Sequence, residues 1–137
     1  MPTNPGVSKT YRLAVLTTLA SHTLKAAFYT AASALDKDTV GNYTTTGELT
    51  GAGYVAGGYA LTPTVDSATA TPFIDFADTA IPTFTAVDWG FIVIYDVTDA
   101  NRIIQVIQIT TQNFSSKIVT IVWPSPSNSA AAIRLRG

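Results

Sequence analysis

The chain has 137 residues, enough for one compact domain, and 47% of them are hydrophobic, which excludes a disordered composition. Charged residues make up only 12% and the formal net charge is −1, so there is no field to draw the protein onto phosphate backbones or anionic lipid, and nucleic acid and membrane are not expected partners. There is no cysteine, which removes disulfides, thiolate catalysis and cysteine metal sites together.

The N-terminal residues Met1 to Ser8 contain Pro2, Pro5 and Gly6 and read as an extended arm, with a single β-sandwich domain expected over residues 9–137. The arm lacks a basic-then-apolar signal pattern, and no apolar run approaches the roughly 18 residues of a membrane span. Ser8 can cap a short amphipathic helix through Leu19, carrying Leu13, Val15, Leu16 and Leu19, with a strand as the alternative for this segment. Thr23 to Thr30 alternates as a strand, with Leu24, Ala26 and Phe28 on one face and Lys25, Ala27 and Tyr29 on the other. A polar connection from Ala31 to Thr46 follows, longer than a hairpin loop.

The segment from Tyr43 to Leu61 is rich in Gly, Thr and Tyr and carries no obvious nucleophile, base or ligand. It suits a chain that turns sharply and presents rings to a neighbouring surface. Short strands are expected near 53–61, 73–76, 83–87, 90–95, 102–110, 117–123 and 131–136. The separators are Pro63, Pro72, Asp78, Pro82, Asp99-Ala100-Asn101, Gln112-Asn113 and the run Pro124 to Asn128. Such spacing predicts an all-β fold, an antiparallel β-sandwich or jelly-roll-like arrangement with a short N-terminal helix. Trp89 to Tyr95 is apolar on both faces and reads as the central strand, paired through the 99–101 turn with Ile103 to Ile109.

Candidate chemistry is sparse. His22 is the only histidine and stands beside Ser21, but sequence adjacency does not make a dyad. Asp75 and Asp78 would need a turn after Phe76 to meet, so strand-end caps are the better reading. Asp36-Lys37-Asp38-Thr39-Val40-Gly41 begins like a calcium loop but has Val40 at position five and Gly47 at position twelve. Gly51-Ala52-Gly53-Tyr54-Val55-Ala56 satisfies the dinucleotide fingerprint in letters, yet neither a strand before it nor a helix after it is expected. Tyr43, Tyr54 and Tyr59 could stack on sugars, which keeps a carbohydrate-binding sandwich, with Trp89 as a further candidate, open as an alternative. No catalytic residue, cofactor or metal is expected, and the chain reads as non-enzymatic.

Several motifs carry a resemblance. Leu24-Lys25-Ala26-Ala27-Phe28-Tyr29-Thr30, Ala34-Leu35-Asp36, Tyr43-Thr44-Thr45-Thr46-Gly47-Glu48, Gly53-Tyr54-Val55-Ala56-Gly57-Gly58 with Ala60-Leu61, Phe73 to Asp78 and Gly90 to Asp96 together resemble small virion proteins of tailed bacteriophages. The region from Ile103 to Trp123 departs from that pattern. The resemblance implies a capsid decoration (cement) protein on the capsid exterior, made in the host cytoplasm, or else a tail, adaptor or fibre-base subunit. The implied partners are the major capsid protein, further copies of this chain as a dimer or trimer, and tail proteins. The low charge fraction fits an exterior partly covered by other chains, or equally a surface coated with Ser, Thr and Asn. The expected contact residues are Pro2 and Pro5 in the arm, Tyr43 and Glu48 beside the long loop, Tyr54 and Tyr59 in the Gly/Tyr segment, and Arg134 and Arg136 on one face of the last strand.

Overall fold

The computed structural model describes residues 5–67, 72–123 and the backbone of 133–134. It is mostly β, with antiparallel sheets and one short helix. Its contacts cluster into two compact units, one of residues 1–21, 62–78 and 122–137, the other of residues 22–61 and 79–121.

The first unit opens with α1 (Lys9–Ala20). Ser8 caps it as expected: its backbone is extended and its hydroxyl accepts the Tyr11 N–H at 3.1 Å, satisfying one of the donors a helix start leaves orphaned. Leu16 is buried, with Leu13 and Leu19 partly so, and the helix packs on strands β3 (Pro63–Asp66) and β4 (Phe73–Phe76). Beside β4 lies β7 (Ile133–Arg134), giving a three-stranded antiparallel sheet of order β3-β4-β7. Strand β3 was hidden in the sequence by Pro63, read there as a turn residue. Pro63 stands at the first position of an edge strand, where a missing N–H is tolerated.

The second unit is a four-stranded sheet of order β2-β1-β5-β6, built from β1 (Leu24–Thr30), β2 (Tyr59–Ala60), β5 (Thr79–Asp96) and β6 (Arg102–Ile121). The four strands expected over 83–123 are two long ones. Pro82 and Gln112-Asn113, which read as breaks, lie inside them, and the irregularity goes into register shifts along the β5–β6 pair instead. The predicted hairpin is present, with Ile92 opposite Ile107 and Val93 opposite Val106. Its turn puts Ala100 and Asn101 at φ 52° and 59°, and the Arg102 N–H donates to the Asp99 carbonyl at 3.0 Å. Two left-handed central residues match the right-handed twist of the flanking strands.

Trp89 to Asp96 is buried throughout, as a central strand requires. The alternation read for β1 also holds in register. Tyr29 pairs with Phe91 and Ala27 with Val93 on one face, where they join Tyr95 in a core cluster with Leu35, Tyr43, Ile103 and Val106 around it. Phe28 turns to the other face among Tyr54, Tyr59, Phe84 and Trp89, stacking on Trp89 at 4.6 Å. Among the described residues no helix is long and apolar enough to cross a membrane.

Candidate functional site: the Glu48 carboxylate and its tyrosines

The Gly/Tyr segment finishes the open edge of β1. Gly47 and Leu49 pair with Thr30 and Phe28: the Thr30 N–H donates to the Gly47 carbonyl and the Leu49 N–H to the Phe28 carbonyl, each at 2.9 Å. Ten residues on, Tyr59 and Ala60 resume the same antiparallel pairing against Ala26 and Lys25, and the Leu61 N–H reaches the Leu24 carbonyl at 2.9 Å. Residues 50–58 are therefore an excursion between two halves of one edge strand. Of the strand expected over 53–61 only Tyr59 and Ala60 form one, because the chain before them is spent on turns.

An excursion leaves strand amides without ladder partners, and a buried orphan N–H costs about 1–3 kcal/mol. Here the Phe28 N–H donates to the Tyr54 hydroxyl at 3.0 Å, and that hydroxyl donates onward to Glu48 Oε1 at 2.5 Å. The Gly57 N–H donates to the same oxygen at 2.8 Å, and the Tyr43 hydroxyl donates to Oε2 at 2.7 Å. Glu48 is buried, and three neutral donors thus take up its two oxygens. Charge-assisted bonds of this kind are about twice as strong as neutral ones. Tyr43 stacks on Tyr95 at 4.7 Å, and Tyr95 in turn donates to the Gly57 carbonyl at 2.6 Å. Tyr29 donates to the Thr44 carbonyl and Tyr59 to the Gly53 carbonyl, both at 2.6 Å.

Burial and the nearby carboxylate set the tyrosines' acidity. Desolvation, then the hydrogen bond to Glu48, raises Tyr54 and Tyr43 far above the ordinary phenol value, because ionising either would place a second negative charge beside the carboxylate. Tyr29 is pushed up to about 12, chiefly by desolvation. Tyr59 and Tyr95 are raised as well, again chiefly by desolvation. All five remain neutral donors at physiological pH.

Glycine makes the close packing possible at two positions. A Cβ on Gly53 would stand 1.6 Å from the Thr83 carbonyl oxygen, and one on Gly58 would stand 1.9 Å from that of Ala26. Both have φ of +83°, which side-chain-bearing residues rarely adopt. The Thr85 N–H donates to the Ala52 carbonyl at 2.8 Å, so the excursion also ties β1 to β5. This is the context of the Gly51-x-Gly53-x-x-Ala56 match: a loop laid on a strand, with no helix after it.

Of the expected contact residues, the structure brings Tyr43, Glu48 and Tyr54 into one network and sets Tyr59 beside Tyr54, with ring centroids 5.9 Å apart. Their polar atoms are engaged within the unit, while the rings stay partly exposed. Pro5 is exposed. Pro2 and Arg136 lie outside the described residues, and Arg134 is placed by its backbone opposite Phe73.

The other candidates fall elsewhere. His22 donates from Nδ1 to Asp96 Oδ2 at 2.6 Å, so its partner is a side chain 74 residues along the chain and not Ser21. Asp96 is buried, and its Oδ1 accepts the Thr98 and Asp99 amides at 3.0 and 3.2 Å, which makes it the anchor of the β5–β6 turn. Ser21 is not part of this pair; its hydroxyl donates to the Thr18 carbonyl. Asp36 closes a local turn by accepting the Asp38 N–H at 2.8 Å. Among the described residues no group of three or more His, Cys, Asp or Glu could hold a metal ion. Asp75 is buried and Asp78 exposed; the acid that shares a face with Asp75 is Asp66, since Thr64 lies opposite Asp75 and Asp66 opposite Phe73.

Sequence reading missed Asp96 and Asp66. An Asp at the last position of a strand, and one on a strand begun by Pro, leave only faint local signals. No family model, curated protein or solved structure matches the chain.

Proposed function

We propose that the chain is a non-catalytic structural protein of a tailed-bacteriophage virion, acting as a capsid decoration protein that binds the major capsid protein lattice from outside and stabilises it. The observation that carries the structural half of this reading is the Glu48 network. The most developed polar cluster among the described residues spends its carboxylate on Tyr43, Tyr54 and Gly57, holding a loop to a sheet rather than presenting a base to a substrate. The virion half rests on the motif resemblance and on the low charge fraction of 12%, which fits an exterior covered by neighbours. A β-sandwich or jelly-roll arrangement, and association of the chain into dimers or trimers, belong to the same proposal. Binding of this kind adds stability to a lattice by mass action.

Quantitative mass spectrometry of purified virions tests it. A fixed simple ratio of this chain to the major capsid protein supports the decoration role. A few to a few dozen copies per particle moves it to the tail or a vertex, and absence from particles refutes the virion reading.

A further inference from the structure

Asp75 carries an unanswered demand. It is 9% exposed, it sits in the middle of β4, and its Oδ1 is buried without a hydrogen-bond partner. Taking a carboxylate out of water costs several kcal/mol unless an opposite charge or donors compensate. Glu48 shows how the same protein treats a buried acid elsewhere: three donors converge on it. Among the described residues nothing equivalent reaches Asp75 Oδ1.

The residue lines a cavity of about 210 Å³ with Thr64, Asp66, Phe73, Phe76 and Ala77. A single water needs only ~10–15 Å³, so this space takes a group of several atoms. Register places Thr64 directly opposite Asp75 and puts Asp66 on the same face, two residues along β3. Among the described residues the lining thus holds two acidic residues, a threonine and two phenylalanines, and no basic residue.

We infer that this cavity is a guanidinium-binding site, with Asp75 as the principal acceptor and Asp66 and Thr64 as rim acceptors. A guanidinium presents five N–H donors in a planar fork matched to carboxylates, and its weakly hydrated faces lie well against aromatic rings. A bare divalent cation fits less well. Calcium takes about 6–8 oxygen ligands, the cavity is roomier than an ion needs, and the described residues hold no group of three acidic or imidazole ligands. Two sources supply the group: an arginine of a partner protein, or Arg134 of this chain, whose backbone stands opposite Phe73.

The test is a titration of the full chain with ethylguanidinium, followed by amide chemical shifts of Thr64, Asp66 and Asp75, with butylammonium and calcium chloride run at matched ionic strength. Saturable shifts with ethylguanidinium that weaken at least tenfold in Asp75→Asn support the site with an external source. Binding that appears only in Arg134→Gln, and is lost in Arg134→Gln/Asp75→Asn, supports the site with Arg134 as its resident occupant. Should Asp75→Asn fail to fold, Asp66→Asn serves in its place with an expected weakening of a few-fold. No saturable shift in either wild type or Arg134→Gln overturns the inference, as does binding that Asp75→Asn leaves unchanged or a response to calcium alone.

Discussion

Removing one oxygen from Tyr54 tests whether the Glu48 network holds the Gly/Tyr excursion onto the sheet. Tyr54→Phe keeps the ring, which packs on Phe28 with centroids 5.3 Å apart, but deletes both an acceptor and a donor. The Phe28 N–H loses its partner at 3.0 Å, and Glu48 Oε1 is left with the Gly57 amide alone. An orphaned buried amide costs about 1–3 kcal/mol and a lost bond to a charged acceptor about 1.5–3 kcal/mol; because Tyr54 is half-buried, water recovers part of this, and the net loss is about 2–4 kcal/mol. With a urea m-value of about 2 kcal/mol/M, the unfolding midpoint falls by about 1–2 M. The matched control is Tyr59→Phe, whose hydroxyl meets only backbone, the Gly53 carbonyl and Val55, and whose loss costs about 1 kcal/mol. Urea melts followed by circular dichroism give the midpoints, and hydrogen exchange at the Phe28 amide gives the local readout. Equal cost for the two variants, or undiminished protection of Phe28 in Tyr54→Phe, would refute the network as the tie.

In the unfolded chain tyrosine ionises near pH 10, whereas Tyr29 does so at about 12 and Tyr43 and Tyr54 higher still. The folded state therefore holds protons that the unfolded state has released. The stability from this source is complete below about pH 10 and declines above it by about 1.4 kcal/mol per pH unit for the buried Tyr29, and by less for the half-buried Tyr54. Urea midpoints from about pH 8 to about pH 11, with tyrosinate absorbance recorded alongside, should show the decline beginning before the folded-state phenols ionise; a flat profile contradicts the burial argument. Gly58→Ala should cost at least about 3 kcal/mol, since its Cβ would stand 1.9 Å from the Ala26 carbonyl oxygen at φ +83°. Gly41→Ala meets nothing within 4 Å and should change stability by less than about 0.5 kcal/mol in the same melts.

Local pattern decided a good deal of this protein by itself. The Ser8 cap and the helix behind it, the two faces of β1, the doubly buried run from Trp89 to Tyr95 and its hairpin with Ile103 to Ile109 were all legible, because each depends on spacing along a few adjacent residues. Pattern failed where a local signal was outvoted by partners far along the chain. Pro82 and Gln112-Asn113 read as breaks, yet pairing along β5 and β6 carries both strands through them with register shifts. Pro63 read as a turn and begins a strand instead, because that strand lies at a sheet edge.

The candidate site divides in the same way. Density of Gly and Tyr marked residues 43–61 as architectural, and Glu48 was picked out with the tyrosines around it. That Glu48 is buried, and that Tyr43 and Tyr54 converge on its two oxygens, depends on β1 lacking a neighbour along half its edge and on the chain returning at Tyr59 to resume the pairing. Likewise the face shared by Asp66 and Asp75 exists only once β3 pairs with β4. Residue spacing determines which side chains an element can present; which of them lose their water, and which groups must then compensate, is decided only when distant segments pack.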